Sequence, residues 1–428
     1  MEWWDIIQGP IVGLLLNMGL VHKPTIESYF CEKYFSQHTP GFKIISLDRF
    51  KLLLHFFHVS DFDKEAPRTS SSYDPLYKFR DVLTIVNENF QKSYRLDQDI
   101  SIDDSIIGFK GRHVSIQYIK IKKHHQWGPK MYVLAEAKTG YSYRLMFHCK
   151  QSTKTTKVQP HDVCMQLLKA ENRSKNHHLG VDNYYTSVAL CEDLYQQGVY
   201  VTGTVRQNRV GLPVDIKQKI KQKGHFVCWR KGPLLAVNFH DRNCVRLLST
   251  FCTAKTNSKG DGDRARCVPS VVSHYNSVTG GVDTAHQLVQ EYAAEVRTRK
   301  CWKKVVFHLL DRMVVNAYLL YKHNPSVPAA GKLSHHKFTV LTVEHLIGSY
   351  NSCQRPGRRS TCPVEARLDQ KHFIEYIPDG KRKKCVVCGD RPQTFSGTRV
   401  RTYCPDCNVG LCIGECFRRY HTLNNYKM

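Results

Sequence analysis

SIDDSIIGFKGR, residues 101–112, ends a β-favouring apolar run on two adjacent carboxylates, Asp103 and Asp104, and then turns basic at Lys110 and Arg112. From Lys110 to Lys130 there are six cations and no acid: Lys110, Arg112, Lys120, Lys122, Lys123 and Lys130, interleaved with Tyr118 and Trp127. A solvated turn balanced by salt bridges is the plain reading of such a stretch. The sharper one is a metal site facing an anionic substrate, because cations alternating with aromatics suit phosphate contact and stacking on an exposed base or hairpin end.

The whole chain leans the same way. Its 428 residues carry 63 Lys and Arg against 37 Asp and Glu, a net charge of +26, which is the footprint of a polyanion binder. With 41% apolar and 11% aromatic residues it has ample material for a packed core, which excludes a disordered chain. Nucleic acid is the leading partner for such a charge and an anionic membrane surface the weaker one; no run approaches the ~20 apolar residues needed to span a bilayer, and DNA rather than membrane is the expected partner. IVGLLLNMGLV at 11–21 reads as a buried helix. Eleven of the 17 cysteines are scattered singly over 31–362, and six crowd into 385–416, which predicts reduced thiols and one metal-binding module.

Residues 1–95 read as helices, with Ser46 a cap candidate and Leu52, Leu53, Phe56 and Phe57 at helical spacing. From 96 to 206 the order is strand, hairpin at Lys138-Thr139-Gly140, strand, helix, strand, a mixed α/β pattern. Residues 207–270 interrupt it with short β-like pieces and are expected to be an insertion. Helical periodicity returns over 271–323, through Val305, Leu309, Val315 and Leu319. A helical segment and basic linker fill 324–379, and a cysteine-rich module fills 380–428.

Asp103 and Asp104 lie near a strand end, Asp182 follows the strand-like HHLGV, and Asp283 follows Gly280-Gly281 where a helix opens. Singly, each suits a turn or a helix N-terminus. Together they meet a chemical need. Phosphodiester hydrolysis uses two divalent cations, and hard ions such as Mg²⁺ select carboxylates held on rigid elements.

SIDDSIIGFKGR, KKHHQWGPKMYVL, GVDNYYTSVALCEDLYQQGVYVTGTVRQNR and YNSVTGGVDTAHQL, followed by a basic helix with a tryptophan, resemble the transposase domain of the piggyBac family over roughly residues 10–323. The resemblance implies an RNase H-like core with a β-rich insertion, a flanking helical DNA-binding and dimerisation region, and a small C-terminal zinc module. It also implies a nuclear homodimer acting on double-stranded DNA, at transposon inverted-repeat ends and TTAA targets. Carried over by position, Asp103, Asp182 and Asp283 become the catalytic acids holding two Mg²⁺, with Asp104 a neighbour that tunes charge. The family usually has an acid three residues after the third aspartate, where this chain has His286. Imidazole suits zinc, copper or iron better than Mg²⁺. A DNA-binding protein that has lost turnover is therefore a competing reading, and relatives with a further N-terminal segment make a shortened or domesticated copy another. A second basic cluster around Trp302, with Arg299, Lys300 and Lys303, is a further DNA-contact candidate, and Arg206 and Arg209 are weaker ones.

In the tail, Cys385 and Cys388 form one CxxC pair, Cys404 and Cys407 another, and Cys412, Cys416 and His421 follow. Such pairs match tetrahedral zinc, and a short segment with little core needs metal to fold. Seven ligands complete one zinc and leave a second one short. After residue 380 there are ten Lys and Arg against three Asp and Glu, so DNA is the expected partner of the module, with a chromatin protein as the alternative. KRKK at 381–384 is a nuclear-import candidate.

Overall fold

The computed structural model describes residues 3–31, 39–120, 126–149, 159–168, 176–259, 266–294, 296–350, 367–368, 371–389 and 399–426. It divides into two compact units, Met1–Tyr350 and Asn351–Met428.

The first unit is organised by one nine-stranded sheet. Its strands are β1 Asp99–Ile106, β2 Ile116–Tyr118, β3 Trp127–Glu136, β4 Ser142–Phe147, β5 His178–Val181, β6 Tyr200–Thr204, β7 Phe226–Lys231, β8 Leu234–His240 and β9 Cys244–Ser249. The helices are α1 Trp3–Leu20, α2 Ile26–Tyr29, α3 Leu47–Phe56, α4 Tyr77–Ser93, α5 Pro160–Leu167, α6 Val188–Gln196, α7 Ser270–Val278, α8 Gly281–Glu291, α9 Cys301–His323 and α10 His335–Ile347. Strand order is β2-β3-β1-β5-β6-β9-β8-β7, with β4 also on β3. β1 is antiparallel to β3 and parallel to β5, and β5 is parallel to β6. The antiparallel series β4-β3-β1, continued by the parallel strands β5 and β6, gives the RNase H-like order. The parallel pair needs a crossover, which α6 supplies, capped by Ser187 Oγ accepting from Leu190 N at 3.2 Å.

The central strands are covered on both faces, so β3 is buried along its length after Trp127. Phe79, Leu83, Val86 and Phe90 of α4, Val163 and Leu167 of α5, and Val305, Leu309, Val315 and Leu319 of α9 join that core. The hairpin between β3 and β4 turns at Gly140, whose φ of +78° is the left-handed conformation glycine tolerates.

The β-rich insertion is continuous with this sheet. β9 pairs with β6 through Thr202↔Ser249, Gly203↔Leu248 and Thr204↔Leu247, and β8 and β7 extend it outward. At the seam the buried Thr202 and Ser249 hydroxyls share a 2.8 Å hydrogen bond.

The N-terminal helices form a second cluster, in which Leu14, Leu15 and Met18 of α1 meet Phe42, Phe50 and Phe307. Ser46 caps α3, its Oγ accepting from Arg49 N at 3.3 Å. The apolar stripe on α3 is turned from the expected one: Leu52 and Phe56 are 56% and 58% exposed, whereas Phe50 is 0%. Contacts of the Phe50 ring with Phe30 and Phe42, at 5.6 and 6.2 Å between centroids, set that rotation. Among the described residues, no helix is long and apolar enough to cross a membrane.

Candidate functional site

Side chains alternate along a strand, so Ser101, Asp103 and Ser105 share one face of β1 and Asp104 lies on the other. α8 touches both ends of that row. At its first residue, a Cβ on Gly281 would come within 2.3 Å of the Glu136 carbonyl and 2.7 Å of Ser101 Oγ, so only glycine lets the helix start so close to the sheet. One turn on, His286 Nδ1 lies 3.1 Å from Ser105 Oγ. Asp103 stands between these two contacts, and Asp283, in the first turn of α8, is exposed.

The parallel register brings in the third acid. Ile102 lies beside Val181, so Asp182, the next residue after β5, falls beside Asp103. Asp182 closes a turn: its Oδ1 accepts from Tyr184 N at 2.8 Å, and its carbonyl accepts from Thr186 Oγ1 at 2.7 Å. Arg206 Nε donates to Asn183 Oδ1 at 3.0 Å and Arg209 to the Tyr184 carbonyl at 2.5 Å, bracing the same turn.

The charges converge. Burial pushes the Asp182 carboxyl up from the ordinary carboxylate range, and the nearby Asp104 charge adds to this, against the hydrogen bond from Tyr184 N. On α7, the Tyr275 phenol is raised chiefly by burial and further by the negative charges of Asp182, Asp103 and Asp283. The donor atoms of these three acids do not all close to within 4.8 Å of one another; among the described residues, only two Cys/His groups do that. Carboxylates on a strand, a turn and a helix start are a hard, anionic donor set of the kind that divalent cations select.

Asp104 faces Lys130, whose Nζ is 3.7 Å from Asp104 Oδ2 and lies over the rings of Tyr132 and Tyr184 at 4.9 and 4.6 Å. This corrects the expectation for Lys130: it is 5% exposed and neutralises an internal acid, so it is not a surface phosphate contact. Lys303 is corrected likewise. It is 7% exposed, and its Nζ donates to the Leu54 and His55 carbonyls beneath Trp302 and Phe57. The other basic candidates are on the surface: Lys110, Arg112, Lys120, Arg299 and Lys300 are exposed. Trp127, 50% exposed, packs against the equally open Tyr118 ring at 4.9 Å on the β2–β3 hairpin. Lys122 and Lys123 lie outside the described residues.

The second unit holds two four-donor groups. One is Cys385, Cys388, Cys412 and Cys416; the other is His372, Cys404, Cys407 and His421. Along the chain the ligands alternate between the groups, His372, then Cys385 and Cys388, then Cys404 and Cys407, then Cys412 and Cys416, then His421, which is a cross-brace. Cys388 and Cys412 sulfurs are 3.6 Å apart, Cys404 Sγ is 3.5 Å from His372 Nδ1, and Cys407 Sγ is 3.6 Å from His421 Nε2. These match the edges of a zinc tetrahedron, which are about 3.8 Å between sulfurs at ordinary Zn–S lengths. His421 Nδ1 donates to the Phe417 carbonyl at 2.9 Å, which leaves Nε2 toward the group. His372 is the eighth donor that the tail from 380 onward lacks. Behind the site, α11 (Glu415–Thr422) is closed at its C-terminal end by the buried Arg367, which donates to the carbonyls of Tyr420 and Leu423.

Comparisons agree with both units. A family profile described as Transposase IS4 matches residues 11–318, and one described as DDE_Tnp_1-like zinc finger matches residues 367–422. Human PiggyBac transposable element-derived protein 3 is 24% identical over 437 residues, covering 96% of this chain and 69% of its own length. Human PiggyBac transposable element-derived protein 2 is 23% identical over 433 residues, with the same two shares, 96% and 69%. The solved structure of a piggyBac transposase synaptic complex with hairpin DNA matches with a TM-score of 0.73 and 20% identity, over 96% of this chain and 88% of that one. With the RNase H-like strand order and the Cys/His module in place, these matches mean that the chain belongs to the piggyBac transposase family.

Proposed function

We propose that this chain binds double-stranded DNA and acts as a piggyBac-type transposase or a domesticated derivative of one, cutting and joining strands at inverted-repeat ends flanked by TTAA. The observation that carries the reading is positional: Asp103 lies on β1, Asp182 directly follows its parallel neighbour β5, and Asp283 lies in the first turn of α8, whose first residue abuts β1. Two Mg²⁺ at these acids would lower the pKa of the attacking water or hydroxyl and stabilise the leaving oxygen. The chain's own contribution is positional. β1 and the braced turn after β5 fix two carboxylates rigidly, and the close start of α8 presents the third. Lys110, Arg112, Lys120, Arg299 and Lys300 hold the phosphate backbone, and Tyr118 with Trp127 offers a stacking surface. The tail binds two zinc ions that fold it for contact with DNA, and the working form is a nuclear homodimer.

A second reading rests on His286. Its ring is tied to Ser105 beside the acid row, and it supplies no negative charge there. This favours a DNA-binding protein with weakened turnover. The two readings separate in a Mg²⁺-dependent nicking and strand-transfer assay on inverted-repeat DNA ending at TTAA. Activity of the native chain that disappears in Asp103→Ala supports the enzyme; activity gained only in His286→Asp supports the binding-only protein.

A further inference from the structure

Between Gly211 and His240 there are six Lys and Arg and one acid, Asp215. Four of the cations alternate: Lys217, Lys219, Lys221 and Lys223, all exposed. A solvated charge run would leave its backbone to water. Here the backbone is fastened. The buried Asn238 of β8 donates through Nδ2 to the Ile216 carbonyl at 3.1 Å and the Gln218 carbonyl at 2.9 Å. Arg246 of β9 donates to the Ile216 carbonyl at 2.7 Å, and Cys244 Sγ reaches the Ile220 carbonyl at 3.8 Å. The carbonyls held are those of Ile216, the buried anchor inside the 3-10 turn Val214–Lys217, and of Gln218 and Ile220 in the irregular stretch that follows.

Lys217 closes the 3-10 turn Val214–Lys217 and Lys223 enters the turn at Gly224, so Lys219 and Lys221 sit on the fastened stretch between two turns, with a further lysine at each end. Asp215 is occupied by Gln218, whose Nε2 donates to Oδ1 at 2.8 Å. The ribbon also continues from the acid site, because Arg206 and Arg209 tie the preceding segment to the turn at Asp182.

We infer that residues 217–223 form a pinned lysine ribbon that tracks the phosphate backbone of duplex DNA as it leaves the acid site. The inference rests on the DNA-processing reading above and adds a surface to it.

Fluorescence-anisotropy binding of the full chain to a labelled inverted-repeat duplex, repeated over a range of salt, tests it. Every phosphate that a cation no longer neutralises lowers the slope of log affinity against log salt by about 0.9. Replacing all four lysines by glutamine is expected to reduce the slope by about 3 to 4 and weaken binding roughly tenfold or more. A second variant keeps composition and charge: Gln218→Lys, Lys219→Gln, Lys221→Gln and Gln222→Lys. It moves two cations off the row and is expected to reduce the slope by about 2. An unchanged slope in the four-glutamine chain, with native binding intact, overturns the ribbon alone. A swapped chain that binds like the native one overturns the pinned spacing. Absence of DNA binding by the native chain overturns the ribbon together with the reading it rests on.

Discussion

Lys130 shows how far a residue's surroundings can alter its reading. In the sequence it closes a run of cations behind the acids; in the fold it is internal, 3.7 Å from Asp104. Removing one partner of a buried pair strands the other charge, so Lys130→Met is expected to cost about 3 kcal/mol of stability in denaturant unfolding. Combining it with Asp104→Asn should recover most of that loss. Lys303 hides for the same reason, since counting charge along a chain does not reveal which lysine stem a neighbouring helix covers. His372 is illegible for the opposite reason. It stands alone, 13 residues before Cys385, with no CxxC spacing to mark it. His372→Ala is expected to lower the zinc content, measured by elemental analysis, from two ions per chain to about one, leaving the four-cysteine group loaded.

At the scale of elements, the placement of the acids at element borders is legible because each borders a feature with its own local signal: an apolar strand, HHLGV, or a glycine pair before a helix. The hairpin at Gly140 and the caps at Ser46 and Ser187 were legible in the same local way. Long-range pairing was not. Nothing in FVCWR, LLAVNF and CVRLLST tells that β9 docks on β6, since strand partners are chosen by packing many residues away. The start of α8 gives an element-level test. Gly281→Ala drives a methyl into the Glu136 carbonyl, and the helix must shift, carrying Asp283 with it. The expected result is a loss of roughly 2 kcal/mol in unfolding and about 100-fold in nicking rate. At the neighbouring Gly280 nothing lies within 4 Å of an added Cβ, so Gly280→Ala should leave both unchanged or slightly raise stability.

At the scale of the molecule, the two units draw on different sources of stability. The first buries an extended apolar core around its sheet. The second has a small cluster that includes four of its own metal-binding cysteines, so metal is integral to its fold. Chelation is therefore expected to expose residues 367–426 to limited proteolysis while the first unit keeps its thermal transition. Intact resistance of the tail in chelator would contradict a metal-held module. Metal binding by the three acids is tested most directly by anomalous diffraction from crystals of the zinc-loaded protein soaked in Mn²⁺ with inverted-repeat DNA. Two manganese peaks about 4 Å apart, bounded by Asp103, Asp182 and Asp283, are expected. Manganese absent from these three acids, or bound only elsewhere, would contradict metal binding there.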